Sequence, residues 1–187
     1  VFCSGADFGE LSRLDDRHDN TEGDRLYGLW MRLTEEPLVV VSQVHGKVNA
    51  GGMGFIGASD IVVAEPTASF ALSELLFGLF PACVLPFLIR RIGFQKAHYM
   101  AITTKPVTAE VAKQWGIVDD CGPDSEEQLR RHFLRLRRLS RAAIKGYKQY
   151  SSELDGHIRE LQSRAVQANQ EIFSSSETRK AIAQYVA

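Results

Sequence analysis

Glu74 is the side chain best placed by its neighbours to move a proton. It stands among Leu72, Leu75, Leu76 and Phe77, and apolar surroundings raise a carboxyl pKa toward the range where one group can both take and return a proton. A partly exposed glutamate at a helix start is the alternative for the same residue. A second candidate is the turn His45-Gly46-Lys47-Val48-Asn49-Ala50-Gly51-Gly52-Met53-Gly54-Phe55. Gly51 and Gly52 let the backbone come close to a ligand, and unused N–H groups there suit an anion or a developing oxyanion. The turn is no phosphate loop, because Lys47 precedes the glycines and no G-K-[ST] follows, and no G-x-G-x-x-G is spelled. Lys47 and Asn49 could bind polar groups of a ligand, pair with acids elsewhere, or cap the turn. His45, at a strand end, is expected to make a structural hydrogen bond. Cys83 has no His or Asp arrangement around it in the sequence and reads as a packed thiol. No His, Cys, Asp or Glu cluster has metal-ligand spacing, so no metal is expected.

The elements that must hold these groups follow from the hydropathy pattern. Positions 38–44 are apolar and β-branched in a continuous run, as in a strand buried on both faces, and positions 61–64 and 68–71 offer two more strands. Val1 to Cys3 reads as a strand end. Strand, glycine turn, helix, strand is the grammar of an α/β fold with parallel pairing. Leu26, Leu29, Trp30 and Leu33 recur at helical spacing, in a helix that ends before Pro37. From position 95 onward the chain reads as helical. Thr108 is a cap and Gly116 a stop, and positions 126–150 form one helix with Leu129, Phe133, Leu136, Ala143 and Tyr147 as its apolar stripe. Positions 154–173 and 177–186 are further helices, with a break at Ser174-Ser175-Ser176. The stretch 7–24 carries seven acids against Arg13 and Arg17, which predicts a solvated loop.

Composition removes other classes. The chain has 187 residues, 44% apolar and 24% charged, enough for one core. Its formal charge of −1 gives no global field for nucleic acid or anionic membrane. The apolar stretches at 37–44 and 75–89 fall short of the roughly 20 residues a membrane-spanning helix needs. Three cysteines without C-x-x-C point to a reducing, cytoplasmic setting. The start at Val1, with neither Met nor a basic leader, suggests a fragment. One local charge feature stands out. Arg130, Arg131, Arg135, Arg137, Arg138, Arg141, Lys145 and Lys148 form a basic face, either a docking surface for an acidic partner or a solvated helix face.

Phe2-Cys3-Ser4-Gly5-Ala6-Asp7 resembles the first oxyanion segment of the crotonase (enoyl-CoA hydratase/isomerase) superfamily, F-x-[AS]-G-[AG]-D. The turn at 45–54 and the run Phe70-Ala71-Leu72-Ser73-Glu74-Leu75-Leu76-Phe77-Gly78-Leu79 resemble its second oxyanion element and catalytic segment. Lys105-Pro106-Val107-Thr108-Ala109-Glu110-Val111-Ala112 with Trp115-Gly116-Ile117-Val118-Asp119 resembles a later helix. The resemblance implies an α/β crotonase-like ββα spiral core at about 1–120 and a helical trimerisation region at about 121–187, in a single domain 1–187. The N-terminal strands and helix of the family pattern have no counterpart.

By the same resemblance, the N–H groups of Ala6 and Gly51 form an oxyanion hole for a thioester carbonyl, and Glu74 is the catalytic carboxylate. The other glutamate of hydratases falls on Gly54, which has no side chain. A two-carboxylate addition of water is thereby weakened, while a lone carboxylate can still eliminate water on one face. His45 and Asp7 are candidates for the missing acid. The runs at 46–55, 73–93 and 95–100 are similar to dehydratases of polyketide β-branching cassettes. That similarity implies removal of water from 3-hydroxy-3-methylglutaryl on an acyl carrier protein, giving 3-methylglutaconyl. Lys47 and Asn49 could bind the distal carboxylate or the C3 hydroxyl of that substrate, and Gly52 is a further substrate-binding candidate. No cofactor is expected beyond the phosphopantetheine of the carrier, or coenzyme A. The implied partners are the carrier, a small acyl thioester and two further copies in a homotrimer, with neither nucleic acid nor membrane. Decarboxylation or double-bond isomerisation on the same scaffold is the near alternative, and a non-catalytic RNA-binding module the distant one.

Overall fold

The structure, a computed structural model, describes residues 1–7, 22–154 and 157–186. The elements in chain order are α1 (Glu22–Glu35), β1 (Val41–Val44), β2 (Lys47–Asn49), α2 (Gly52–Ala58), β3 (Ile61–Ala64), β4 (Ser69–Ala71) and a 3-10 turn (Glu74–Phe77). They are followed by α3 (Leu85–Ile92), α4 (Phe94–Thr103), β5 (Val107–Thr108), α5 (Ala109–Trp115), β6 (Asp120–Cys121), α6 (Ser125–Leu136), α7 (Arg141–Leu154), α8 (His157–Ser174) and α9 (Ser176–Val186). Most of the acidic stretch 7–24 lies outside the described residues. Among the described residues no helix is long and apolar enough to cross a membrane.

Two small sheets organise the first part. One is wholly parallel in the order β1-β3-β6, with Val41 opposite Ile61. The other pairs β2 with β4 in parallel, Val48 opposite Phe70, and β4 with β5 antiparallel. Cys3 extends the second sheet by a parallel bridge to Val48, which is the strand end read at the start of the chain. Parallel pairing needs crossovers, and α2 supplies the one between β1 and β3.

Three expectations change. The glycine turn at 45–54 contains a strand, β2, because Val48 alternates inward between polar neighbours while only three residues pair. The run 38–44 is a strand only from Val41, since Leu38 is 46% exposed in a turn after the end of α1. Helix α1 ends before Pro37 as expected, but it buries Tyr27, Trp30 and Met31 and leaves Leu29 42% exposed. The aromatic rings decide that rotation. Trp30 meets Phe87 edge-on at 5.5 Å and Phe55 at 5.7 Å, and Tyr27 meets Phe87 at 4.9 Å.

The 126–150 helix is two helices. Ser140 Oγ accepts from the Ala143 N–H at 3.1 Å, starting α7 afresh after α6 has ended. Their apolar stripe is split, with Leu129 and Leu136 half-buried but Phe133 49% and Tyr147 70% exposed. Lys148, read as part of the basic face, is instead 4% exposed and points inward. Its ammonium meets Asp60 Oδ2 at 2.8 Å and donates to the Leu33 carbonyl at 3.1 Å. The cap at Thr108, accepting from Val111, and the left-handed Gly116 stand where the sequence places them. Helix α8 packs on α1, where the Tyr27 hydroxyl donates to the Ile158 carbonyl at 2.6 Å. Helix α9 returns to the 3-10 turn, its Thr178 hydroxyl donating to Gly78 O at 3.5 Å.

Candidate active site

The corner expected to hold an oxyanion is built by the end of β2. After Asn49, Ala50 adopts φ +49°, a left-handed conformation that a residue with a Cβ rarely takes, and Gly51 opens α2. The Ala50 N–H donates to Ala71 O at 3.1 Å, which ties the corner to the strand leading to Glu74. Among the described residues no hydrogen bond uses the N–H of Gly51 or of Ala6. The first segment is laid along β2: Cys3 N–H donates to Lys47 O at 3.2 Å, and Asn49 N–H donates to Cys3 O at 2.9 Å. Glycine is required at this approach. A Cβ on Gly52 would lie 2.8 Å from Cys3 Cβ, and one on Gly5, whose φ is +94°, would lie 2.9 Å from Ala50 Cβ. The residue before Ala6 thereby lies against the residue before Gly51.

Glu74 is the first residue of the 3-10 turn that follows β4. Its Oε2 is buried with no hydrogen-bond partner among the described residues. Burial pushes the carboxyl up from 4.5 to about 7, against a smaller opposing pull from the Glu74 and Ser73 backbone. A carboxyl in that range is half ionised near neutrality, so it can act as base and then as acid. Beside it, Asn49 Nδ2 donates to Ser73 Oγ at 2.8 Å.

Position 54 shows why a second carboxylate is missing. A Cβ there would overlap the six-membered ring of Trp30, which is 1% exposed. The indole fills the space that a longer side chain would need. Sequence reading did not foresee this, although a large aromatic facing a glycine is its only available signal. Nor did it single out Ser73, a serine next to the carboxylate.

The remaining candidates lie elsewhere or play smaller parts. Lys47 shares the face of β2 away from Val48, but its side chain is exposed and its carbonyl, not its ammonium, holds the first segment. Gly52 is buried against Cys3. His45 Nδ1 bonds Glu65 Oε1 at 2.7 Å, a structural hydrogen bond with a carboxylate partner. Asp7 is exposed. Cys83 is packed, its Sγ directed at Ala165 O at 3.7 Å and its thiol pushed up by burial to about 11.

One wholly parallel sheet and one mixed sheet set a backbone corner, with two N–H groups that bond nothing among the described residues, beside the turn that carries a carboxyl with a buried oxygen. The chain belongs to the enoyl-CoA hydratase/isomerase family, whose profile matches residues 1–186. It is 51% identical to the bacillaene synthase dehydratase PksH of Bacillus subtilis over 188 residues, covering 100% of this chain and 73% of PksH. The crystal structure of the Bacillus subtilis protein matches with a TM-score of 0.95, over 100% of this chain and 75% of that one. A mevalonyl-coenzyme A hydratase of Aspergillus fumigatus is 34% identical over 121 residues, 63% of this chain and 44% of that protein. The crotonase-like fold expected from the motifs is the fold found, with its helical region after β6.

Proposed function

We propose that this chain is a dehydratase of an acyl thioester, converting 3-hydroxy-3-methylglutaryl on an acyl carrier protein to 3-methylglutaconyl in polyketide β-branching. The observation that carries it is the lone carboxyl of Glu74, raised to about 7, in a site where Trp30 leaves no room for a second at position 54. The similarity to PksH, a dehydratase by name, supports the direction of the reaction. The similarity to a hydratase of mevalonyl-coenzyme A supports a substrate whose C3 bears a methyl group beside the hydroxyl.

The mechanism follows from the groups in place. The N–H groups of Ala6 and Gly51 donate to the thioester carbonyl oxygen, each contributing about 3–4 kcal/mol as the oxygen becomes an enolate. Glu74 takes the C2 proton. The C3–O bond then breaks, the electron pair of the enolate forms the C2=C3 bond, and the departing hydroxyl leaves as water with the proton held by Glu74. One carboxyl thus serves both steps on one face of the substrate. No cofactor enters, since the thioester arm of the carrier, or of coenzyme A, activates C2. Lys47 is assigned to the polar end of the acyl group, the Asn49 amide being engaged with Ser73.

The acidic carrier would dock on the basic surface at the α6–α7 junction. Arg130 pairs with Glu127, Arg131 approaches Asp120 and Lys148 is buried, but Arg135, Arg137, Arg138, Arg141 and Lys145 have no ion pair among the described residues. The outward Phe133, Tyr147 and Leu154 suit contacts between copies in a homotrimer, which size measurement in solution would test.

Incubation with carrier loaded with 3-hydroxy-3-methylglutaryl, followed by mass spectrometry of the carrier, tests the reading. Loss of water is expected. Loss of carbon dioxide, or an unchanged mass with a moved double bond, would replace it by decarboxylation or isomerisation. Glu74→Gln should keep the fold and lose at least 10²-fold to 10⁴-fold in rate, the usual contribution of a general acid–base group.

A further inference from the structure

We propose that Asn49 is the positioning residue of the Glu74 carboxylate, acting through Ser73 to fix it relative to the oxyanion corner. This rests on the dehydratase reading of the same site. Asn49 is the last residue of β2 and Ser73 immediately precedes the turn that begins with Glu74, so their 2.8 Å bond joins segments 24 residues apart. On the Asn49 side it lies next to Ala50 and Gly51, and on the Ser73 side next to Glu74. Parallel pairing of Asn49 with Ala71 already sets the two strands in register, and the Ala50 N–H bonds Ala71 O. The side-chain bond continues that register two residues beyond the end of β4, where no ladder remains.

Two details separate positioning from ordinary packing. Ser73 occupies the N-cap position of the 3-10 turn, yet its side chain makes no capping bond and accepts from Asn49 instead. The Oδ1 of Asn49 is buried with no partner among the described residues. A buried amide with half its hydrogen bonding unmet costs stability, and a purely structural site would favour an apolar residue. Such a cost is tolerated where geometry serves the chemistry.

The test is steady-state kinetics of Asn49→Ala, Ser73→Ala, the double variant and Ser73→Thr on the loaded carrier. Each alanine variant is expected to lower kcat at least tenfold with KM within twofold. The double variant should fall no further than the worse single one, because both remove one bond. Ser73→Thr keeps the hydroxyl and should keep kcat. The acid limb of the rate profile should move to lower pH in the alanine variants as the carboxyl gains access to water, an effect that a merely structural bond would not produce. Wild-type kcat in Asn49→Ala, losses that multiply in the double variant, or a raised KM at unchanged kcat would overturn the proposal, the last making Asn49 a substrate ligand. If those results came with an inactive Glu74→Gln, the positioning role alone would fall. An active Glu74→Gln would remove both.

Discussion

The two ends of α2 are built on opposite terms. At its start, among the described residues, the N–H groups of Gly51 and Ala6 make no hydrogen bond, Ala50 is in a left-handed conformation, and Glu74 and Asn49 each bury an oxygen without a partner. At its end, each polar group is held. Ser59 Oγ donates to Phe55 O at 2.8 Å and meets Ser42 Oγ at 2.7 Å, and Asp60 accepts from Val40 N–H at 2.7 Å while pairing with Lys148. Arg91 adds bonds to Ser59 O at 2.9 Å and Ile117 O at 2.8 Å. A helix only seven residues long thus carries an unsatisfied site at one end and a satisfied anchor at the other. Stability is concentrated in the anchor, so that the site can tolerate polar groups waiting for substrate.

Breaking the anchor should give the largest loss of stability. Lys148→Ala takes the cation from the partly exposed Asp60 carboxylate, removes the donor to the Leu33 carbonyl and deletes a buried side-chain stem, a combined loss of about 3 kcal/mol. The expected result is a large drop in the urea midpoint, with activity per folded molecule unchanged at temperatures below the transition. Wild-type stability in this variant would mean that α7 does not hold the end of α2.

At the site end a substitution should do the reverse. Glu74 is raised from 4.5 to about 7 by burial, so below pH 4.5 it is protonated in both folded and unfolded chains and costs nothing. As pH rises from 4.5 to about 7 the unfolded chain gives up the proton while the folded one still holds it, so stability falls by about 3 kcal/mol over that window and levels off above it. Glu74→Gln lacks that penalty. It should melt higher than wild type at pH 8.5, with the gap closing toward pH 4.5. Equal melting temperatures at pH 8.5 would show a carboxyl better solvated than the structure has it.

The sequence spoke unequally about these ends. The corner at Gly51 and the carboxylate at Glu74 were legible because glycine spacing and an acid among leucines are local signals. The anchor was not, because Lys148 reads as one more cation of a basic run, and only the fold brings it beneath Asp60 from 88 positions away. The 126–150 stripe misled for a related reason. Its apolar residues have helical spacing, yet spacing alone does not say whether a face meets the core or another molecule. Trp30 lies between the two cases: its burial was legible in the helical pattern, but its position over Gly54 depends on the packing of α1 against α2.

The smallest effect distinguishes a cooperative anchor from a set of separate bonds. Ser59→Ala removes the bond to Phe55 O and leaves the buried Ser42 hydroxyl without its partner, a loss of about 1–2 kcal/mol. Ser42→Ala on its own leaves Ser59 bonded to Phe55 O and should cost less. The Ser42→Ala, Ser59→Ala pair should then be no less stable than Ser59→Ala alone, because replacing both partners leaves neither hydroxyl stranded. Chemical denaturation of the three variants measures this directly. Strictly additive losses would mean that the two hydroxyls act independently, and the satisfied end of α2 would then be a sum of local bonds with no shared network.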